Sequence, residues 1–249
     1  MTNLSLDNFE VELQNRINSY LNSNLNSNNQ IEEAIKFALL APGKRVRPTL
    51  IYLVGDFYNV ALENLDSLAL ATEIIHTYSL VHDDLPCMDD DDLRRGQPTL
   101  HKKYSEATAV LAGDAMQSLA IEIILKDDKL SNELKVSIIK LLMEKIGYKG
   151  MILGQALDIN FEQESVDKEQ ILQMNYLKTG LLIEFSILAP LMVANKSQNK
   201  WNKIARNIGV SFQLIDDLLD LEESEERLGK ATKKDHYKNK KNLPLILGR

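Results

Sequence analysis

One cysteine, six prolines and eleven glycines are all that 249 residues hold of those three types, and each scarcity removes a class of answer. A single thiol, Cys87, leaves no internal disulfide framework and suits a reducing compartment. So few turn formers leave none of the regular breaks that punctuate an all-β chain. Excess positive charge is lacking too. A net charge of −7 argues against nonspecific nucleic-acid binding, while a local cationic patch for a small anion stays open. The first ten residues, MTNLSLDNFE, are polar and acidic and read as neither a signal nor a transit peptide. The most apolar long segment, GLLIEFSILAPLMVA at 180–194, contains Glu184 and is short for a bilayer span. These absences lead us to expect a soluble cytoplasmic protein of one domain, with 44% apolar residues to fill its core.

What is present is helical periodicity. Apolar residues recur at three-and-four spacing, which predicts an all-α bundle with helices over 6–21, 31–40, 47–58, 64–84, 105–125, 132–147, 168–194 and 200–222. The Asn/Ser run LNSNLNSNNQ at 21–30 reads as a connector, since it has little to bury. No solenoid repeat is present.

The stretch HDDLPCMDDDDLRRG at 82–96 places Asp83, Asp84, Asp89, Asp90, Asp91 and Asp92 within ten positions, directly ahead of Arg94 and Arg95. An acidic run is usually a solvated face. Here it follows the apolar LALATEIIHTYSLV, so the first pair ends a core helix, where burial and like charge both disfavour ionisation unless a cation intervenes. On a regular helix Asp83 and Asp89 diverge by about 600°. Pro86 is expected to break the helix and let Asp89 swing back. A second motif, FQLIDDLLD, sets Asp216 and Asp220 one turn apart on one face, with Asp217 between them. Carboxylate-only clusters suit Mg²⁺, which completes its octahedron with water and phosphate oxygens. Several bridging Mg²⁺ ions between two such clusters would hold one diphosphate. The basic turn PGKRVRP, with Lys44, Arg45 and Arg47 at a helix start, suggests a second diphosphate site. His76, Lys178, Thr179 and Gln213 interrupt apolar runs and, alone, are ambiguous between cavity lining, core and surface.

GKRVRP, the run from HTYSLVHDDLPCMDDDDLRRGQPT, AGDA, GQALD, KTG and FQLIDDLLD resemble, in order and spacing, the trans-isoprenyl diphosphate synthases, most of all the bacterial farnesyl diphosphate synthases. The resemblance covers residues 30–248 and implies an antiparallel helix bundle around a deep central cavity, of the isoprenoid synthase type and usually homodimeric. It implies condensation of an allylic diphosphate with isopentenyl diphosphate, with Mg²⁺ held by Asp83, Asp84, Asp89, Asp216 and Asp220 and Asp217 close behind. By the same resemblance Arg94, Lys178, Lys230 and Lys240 touch the allylic diphosphate. Lys44, Arg47, His76 and Arg95 hold isopentenyl diphosphate, with Arg45 nearby. The Lys178 and Thr179 carbonyls and Gln213 stabilise the allyl cation, and pyrophosphate takes the final proton. Tyr78, with Ser79 beside it one turn before Asp83, is expected to floor the product pocket and stop growth at fifteen carbons.

Three departures stand out. Pro42 replaces a glycine before the basic motif, NKKNLP at 239–244 keeps only Lys240 of the family's basic segment there, and the chain is expected to lack the family's last C-terminal helices. A terpene cyclase, a longer-chain synthase and a noncatalytic prenyl-diphosphate-binding subunit are the rival readings. Asp220 with Lys44 and Arg47 favours condensation, and two intact aspartate motifs speak against a noncatalytic subunit.

Overall fold

In the computed structural model, residues 6–25, 28–161 and 164–228 are described; the side chains of 6–10, 21, 24 and 216–228 lie outside the description. The chain is all-α, as expected, apart from one two-residue ribbon. Its contacts fall into two compact units.

The first unit comprises residues 1–139 and 189–196. It contains α1 (Leu6–Asn24), α2 (Gln30–Leu40), α3 (Val46–Phe57), α4 (Asp66–Asp83), β1 (Leu93–Arg94), β2 (Gln97–Pro98), α5 (Leu100–Lys103), α6 (Glu106–Lys126) and the start of α7 (Asn132–Ile146). Caps set several starts. Asn29 accepts the Glu32 amide at 3.0 Å, and Ser105 accepts that of Thr108 at 3.1 Å. At its own start, α4 is tied down by Asp66, which accepts from Tyr52 at 2.6 Å and, through Oδ1 and Oδ2, from Arg16 Nη1 at 2.9 and 2.8 Å. Beyond that point α4 is buried nearly all round. Leu68, Ile74 and Ile75 are fully enclosed, each contributing about 1.5–3 kcal/mol by leaving water. This is the central helix of the unit, packed chiefly on α6, and its far end carries the acidic stretch.

Of the described residues, the second unit comprises 140–161, 164–188 and 197–228. It holds the end of α7, α8 (Met151–Phe161), α9 (Lys168–Asn175), most of α10 (Leu181–Val193) and α11 (Asn199–Leu228). A capping box between Asp167 and Gln170 opens α9. Phe161, Ile171 and Met174 form a small core with Leu157, Val166, Leu172 and Leu214 against it. The expected single helix over 168–194 is interrupted by a π turn at Tyr176–Gly180, where the Leu181 amide donates to the Tyr176 carbonyl. Gly154 of α8 crosses so closely that a Cβ there would stand 2.2 Å from the Lys178 nitrogen. The apolar run at 180–194 is buried, Phe185, Ser186 and Leu191 completely, so it is a core helix. Two segments the periodicity left unassigned, α5 and α8, are also helical.

Candidate functional site

Helix α4 ends at Asp83 with Asp84 as its C-cap, and Pro86 lies in the turn that follows. The chain then folds back. The Asp89 amide donates to the Asp83 carbonyl at 2.7 Å, that of Asp90 to Leu85 at 3.0 Å, and that of Asp91 to Asp84 at 3.3 Å. The break expected at Pro86 therefore returns Asp89 to the end of α4. Asp90 takes a left-handed backbone, φ 50°, and Cys87 stands exposed on the turn.

Two residues later the ribbon begins. Arg95 and Gly96, φ 54° and 77°, make the two-residue connection that the strand twist favours when both residues have positive φ. Arg94 is thereby aimed at Asp84. Its Nε and Nη2 donate to Asp84 Oδ1 at 2.8 and 2.5 Å, and Nη2 meets Asp91 Oδ2 at 3.1 Å. Thr99 braces the turn from the ribbon side through the Asp91 carbonyl at 2.8 Å, and Lys102 pairs with exposed Asp92 at 2.8 Å. Burial pushes the Asp84 carboxyl above the ordinary range, more than the Arg94 bond lowers it. By donor type this turn fits Mg²⁺, since Asp83, Asp84 and Asp89 offer only hard oxygens. Among the described residues, however, no three carboxylate, thiol or imidazole groups converge on one point, and Asp84 faces Arg94 instead.

A cationic cluster lies beside the same helix. Arg47 Nη1 and His76 Nε2 are 3.2 Å apart. The imidazole is held well below its ordinary pKa of 6.5, first by burial and then by the charges of Arg47, Arg95, Arg45 and Arg94. It is therefore neutral and able to accept from Arg47. Arg95 packs its guanidinium on Gly43, where a Cβ would be 2.6 Å from Nη1, so any side chain there would have to displace the Arg95 head. Lys44 is exposed on that turn. Arg45, expected near isopentenyl diphosphate, is 4% exposed and turned inward onto Glu73 and onto the Leu39 and Ala41 carbonyls at 2.8 and 2.7 Å.

Below the turn Tyr78 is buried, its ring edge-on to His82 at 5.8 Å, and its hydroxyl finds no partner among the described residues. Burial, then the Asp83 charge, pushes that phenol up to about 12. Ser79 donates to the His76 carbonyl at 2.8 Å.

In the second unit Lys178 and Thr179 sit on the π turn, and Lys178 Nζ meets Asp158 Oδ2 at 2.6 Å. Gln213 lies half-buried on α11. The same helix carries Asp216, Asp217 and Asp220, whose side chains lie outside the described residues, as do Lys230 and Lys240 altogether. Sequence reasoning missed two partners. Glu73 was legible only as a lone acid in LALATEII, and Asp158 only as the last residue of GQALD.

Comparison with known proteins gives a family. The polyprenyl synthetase pattern matches residues 28–248. A farnesyl diphosphate synthase of Haemophilus influenzae is 40% identical over 246 residues, 95% of this chain and 83% of that one. Geranylgeranyl pyrophosphate synthase 7 of Arabidopsis thaliana is 43% identical over 229 residues, 88% of this chain and 65% of its own. Among solved structures, an FPP/GFPP synthase of Zymomonas mobilis superposes with a TM-score of 0.86 at 33% identity, covering 98% of this chain and 85% of that one.

Proposed function

The chain belongs to the polyprenyl synthetase family, and on that premise we propose that it condenses isopentenyl diphosphate with dimethylallyl and then geranyl diphosphate, releasing pyrophosphate and giving farnesyl diphosphate. One observation carries the reading in the geometry: α4 serves two separate charge systems, the aspartate turn at its end and the arginine cluster around His76. A cyclase needs a place for one diphosphate. Two such places on one helix suit a reaction that joins two diphosphates.

In that reaction the allylic carbon–oxygen bond breaks with its electron pair on the departing diphosphate. The isopentenyl double bond then closes on the freed carbon, and a proton leaves to pyrophosphate as the new double bond forms. Lys44, Arg47, His76 and Arg95 hold the isopentenyl diphosphate; its charge replaces water around guanidinium forks already in place. Arg94, Lys178, Lys230 and Lys240 serve the allylic diphosphate. The Lys178 and Thr179 carbonyls and the Gln213 amide oxygen face the cationic carbon. Mg²⁺ belongs to Asp83, Asp84, Asp89, Asp216, Asp217 and Asp220, and when bound it supplies neutralisation of the leaving group's charge. Tyr78 and Ser79 set the product length. The reading includes a homodimer in the cytoplasm, checked by sedimentation velocity and by fractionation.

The deciding experiment incubates the purified chain with Mg²⁺, isopentenyl diphosphate and geranyl diphosphate and identifies the product. Farnesyl diphosphate is expected. A twenty-carbon product, as the name of the Arabidopsis relative suggests, overturns the chain length; no release of pyrophosphate overturns the enzymatic reading.

A further inference from the structure

Two rungs tie the start of α3 to one face of α4. The outer one is Arg47 against His76 at 3.2 Å. The inner one is Arg45 against Glu73, whose side chains are 2% and 1% exposed. Glu73 and His76 are three residues apart, hence one above the other on the helix. Arg45 does more than pair. Its Nη2 donates to the carbonyls of Leu39 and Ala41, which the end of α2 leaves without helical partners, and its Nε reaches Gln14 at 3.4 Å. The backbone of Arg45 is left-handed, φ 48°, a conformation that a β-carbon disfavours and that the surroundings must hold. From the residue that precedes α3, one side chain thus closes α2 and fixes the turn to α4. The turn it closes carries Lys44 and, through Gly43, abuts Arg95.

We infer that Arg45 and Glu73 are positioning residues, fixing the turn at 41–45 so that Lys44 and Arg47 stand where isopentenyl diphosphate binds. This rests on the function proposed above. A buried ion pair is a poor device for stability alone, because apolar residues of the same volume usually serve the fold as well. What it supplies is direction: a planar guanidinium with four partner groups admits one orientation of the turn. Glu73 also lies buried against Arg45, and its charge reaches Arg95.

The test is steady-state kinetics on Glu73→Gln and on the double variant Arg45→Gln with Glu73→Gln. The double variant leaves no unpaired buried charge and retains an amide pair, so it keeps the fold. In both, KM for isopentenyl diphosphate is expected to rise about tenfold or more while KM for geranyl diphosphate stays within about twofold. An unchanged isopentenyl KM, an equal rise for both substrates, or a loss seen only in melting temperature overturns the inference. Should the double variant be insoluble, Arg45→Lys, which keeps the charge and loses the fork, is read in the same way. A wild-type chain without condensation activity defeats the proposed function instead, and calorimetric titration with inorganic pyrophosphate then decides the pair. Weakening by a similar factor in the variants supports it, and unchanged affinity overturns it.

Discussion

At the scale of single residues, neighbouring aspartates have different work. Asp84 is enclosed, bonded to Arg94 and proposed as a metal ligand, so Asp84→Ala is expected to lower kcat by roughly a hundredfold or more. Asp91 shares the same arginine from a half-exposed position, and Asp91→Ala is expected to cost less than about fivefold. Steady-state turnover of the two variants side by side checks the ranking. His76 gives a pH signature. Above pH 6.5 the ring is neutral whether folded or unfolded; as pH falls through 6.5 the unfolded chain binds a proton that the folded one resists. Stability therefore declines toward acid, and His76→Gln is expected to flatten that decline in melting curves taken below pH 6.5. For Tyr78, whose ring is buried beneath the aspartate turn, Tyr78→Ala is expected to lengthen the product beyond fifteen carbons, read by chromatography of the dephosphorylated prenols.

At the scale of elements, the long amphipathic and buried helices were legible because three-and-four spacing survives wherever one face or all of a helix meets a core. The break at Pro86 was legible as well, since proline's missing amide is a local fact. What sequence could not show was set by distant partners. The π turn at Tyr176–Gly180 packs closely against α8 at Gly154, and α8 itself went unassigned, its apolar residues Ile152, Leu153 and Ile159 being exposed. Arg45 looked like its basic neighbours because Glu73 is 28 residues away along the chain. Gly154→Ala tests the crossing. The added methyl meets the Lys178 backbone, so about 1–3 kcal/mol of stability should be lost by denaturant melting, with turnover falling further as Lys178 moves.

At the scale of the whole molecule, order and chemistry separate. The described core is apolar, with α4 and α10 buried along most of their length. Chelation with EDTA is therefore expected to abolish condensation while shifting the melting temperature by less than about 2 °C, since apolar burial carries most of the folding free energy. A shift of many degrees would show that the ion is structural. The aspartate turn offers one more opportunity. Its exposed Cys87 is the sole thiol in 249 residues, so a maleimide spin label or fluorophore attaches at one position per chain without mutagenesis. Spectral broadening or quenching at that label then reports, in real time and on the unaltered sequence, when the allylic diphosphate reaches the turn.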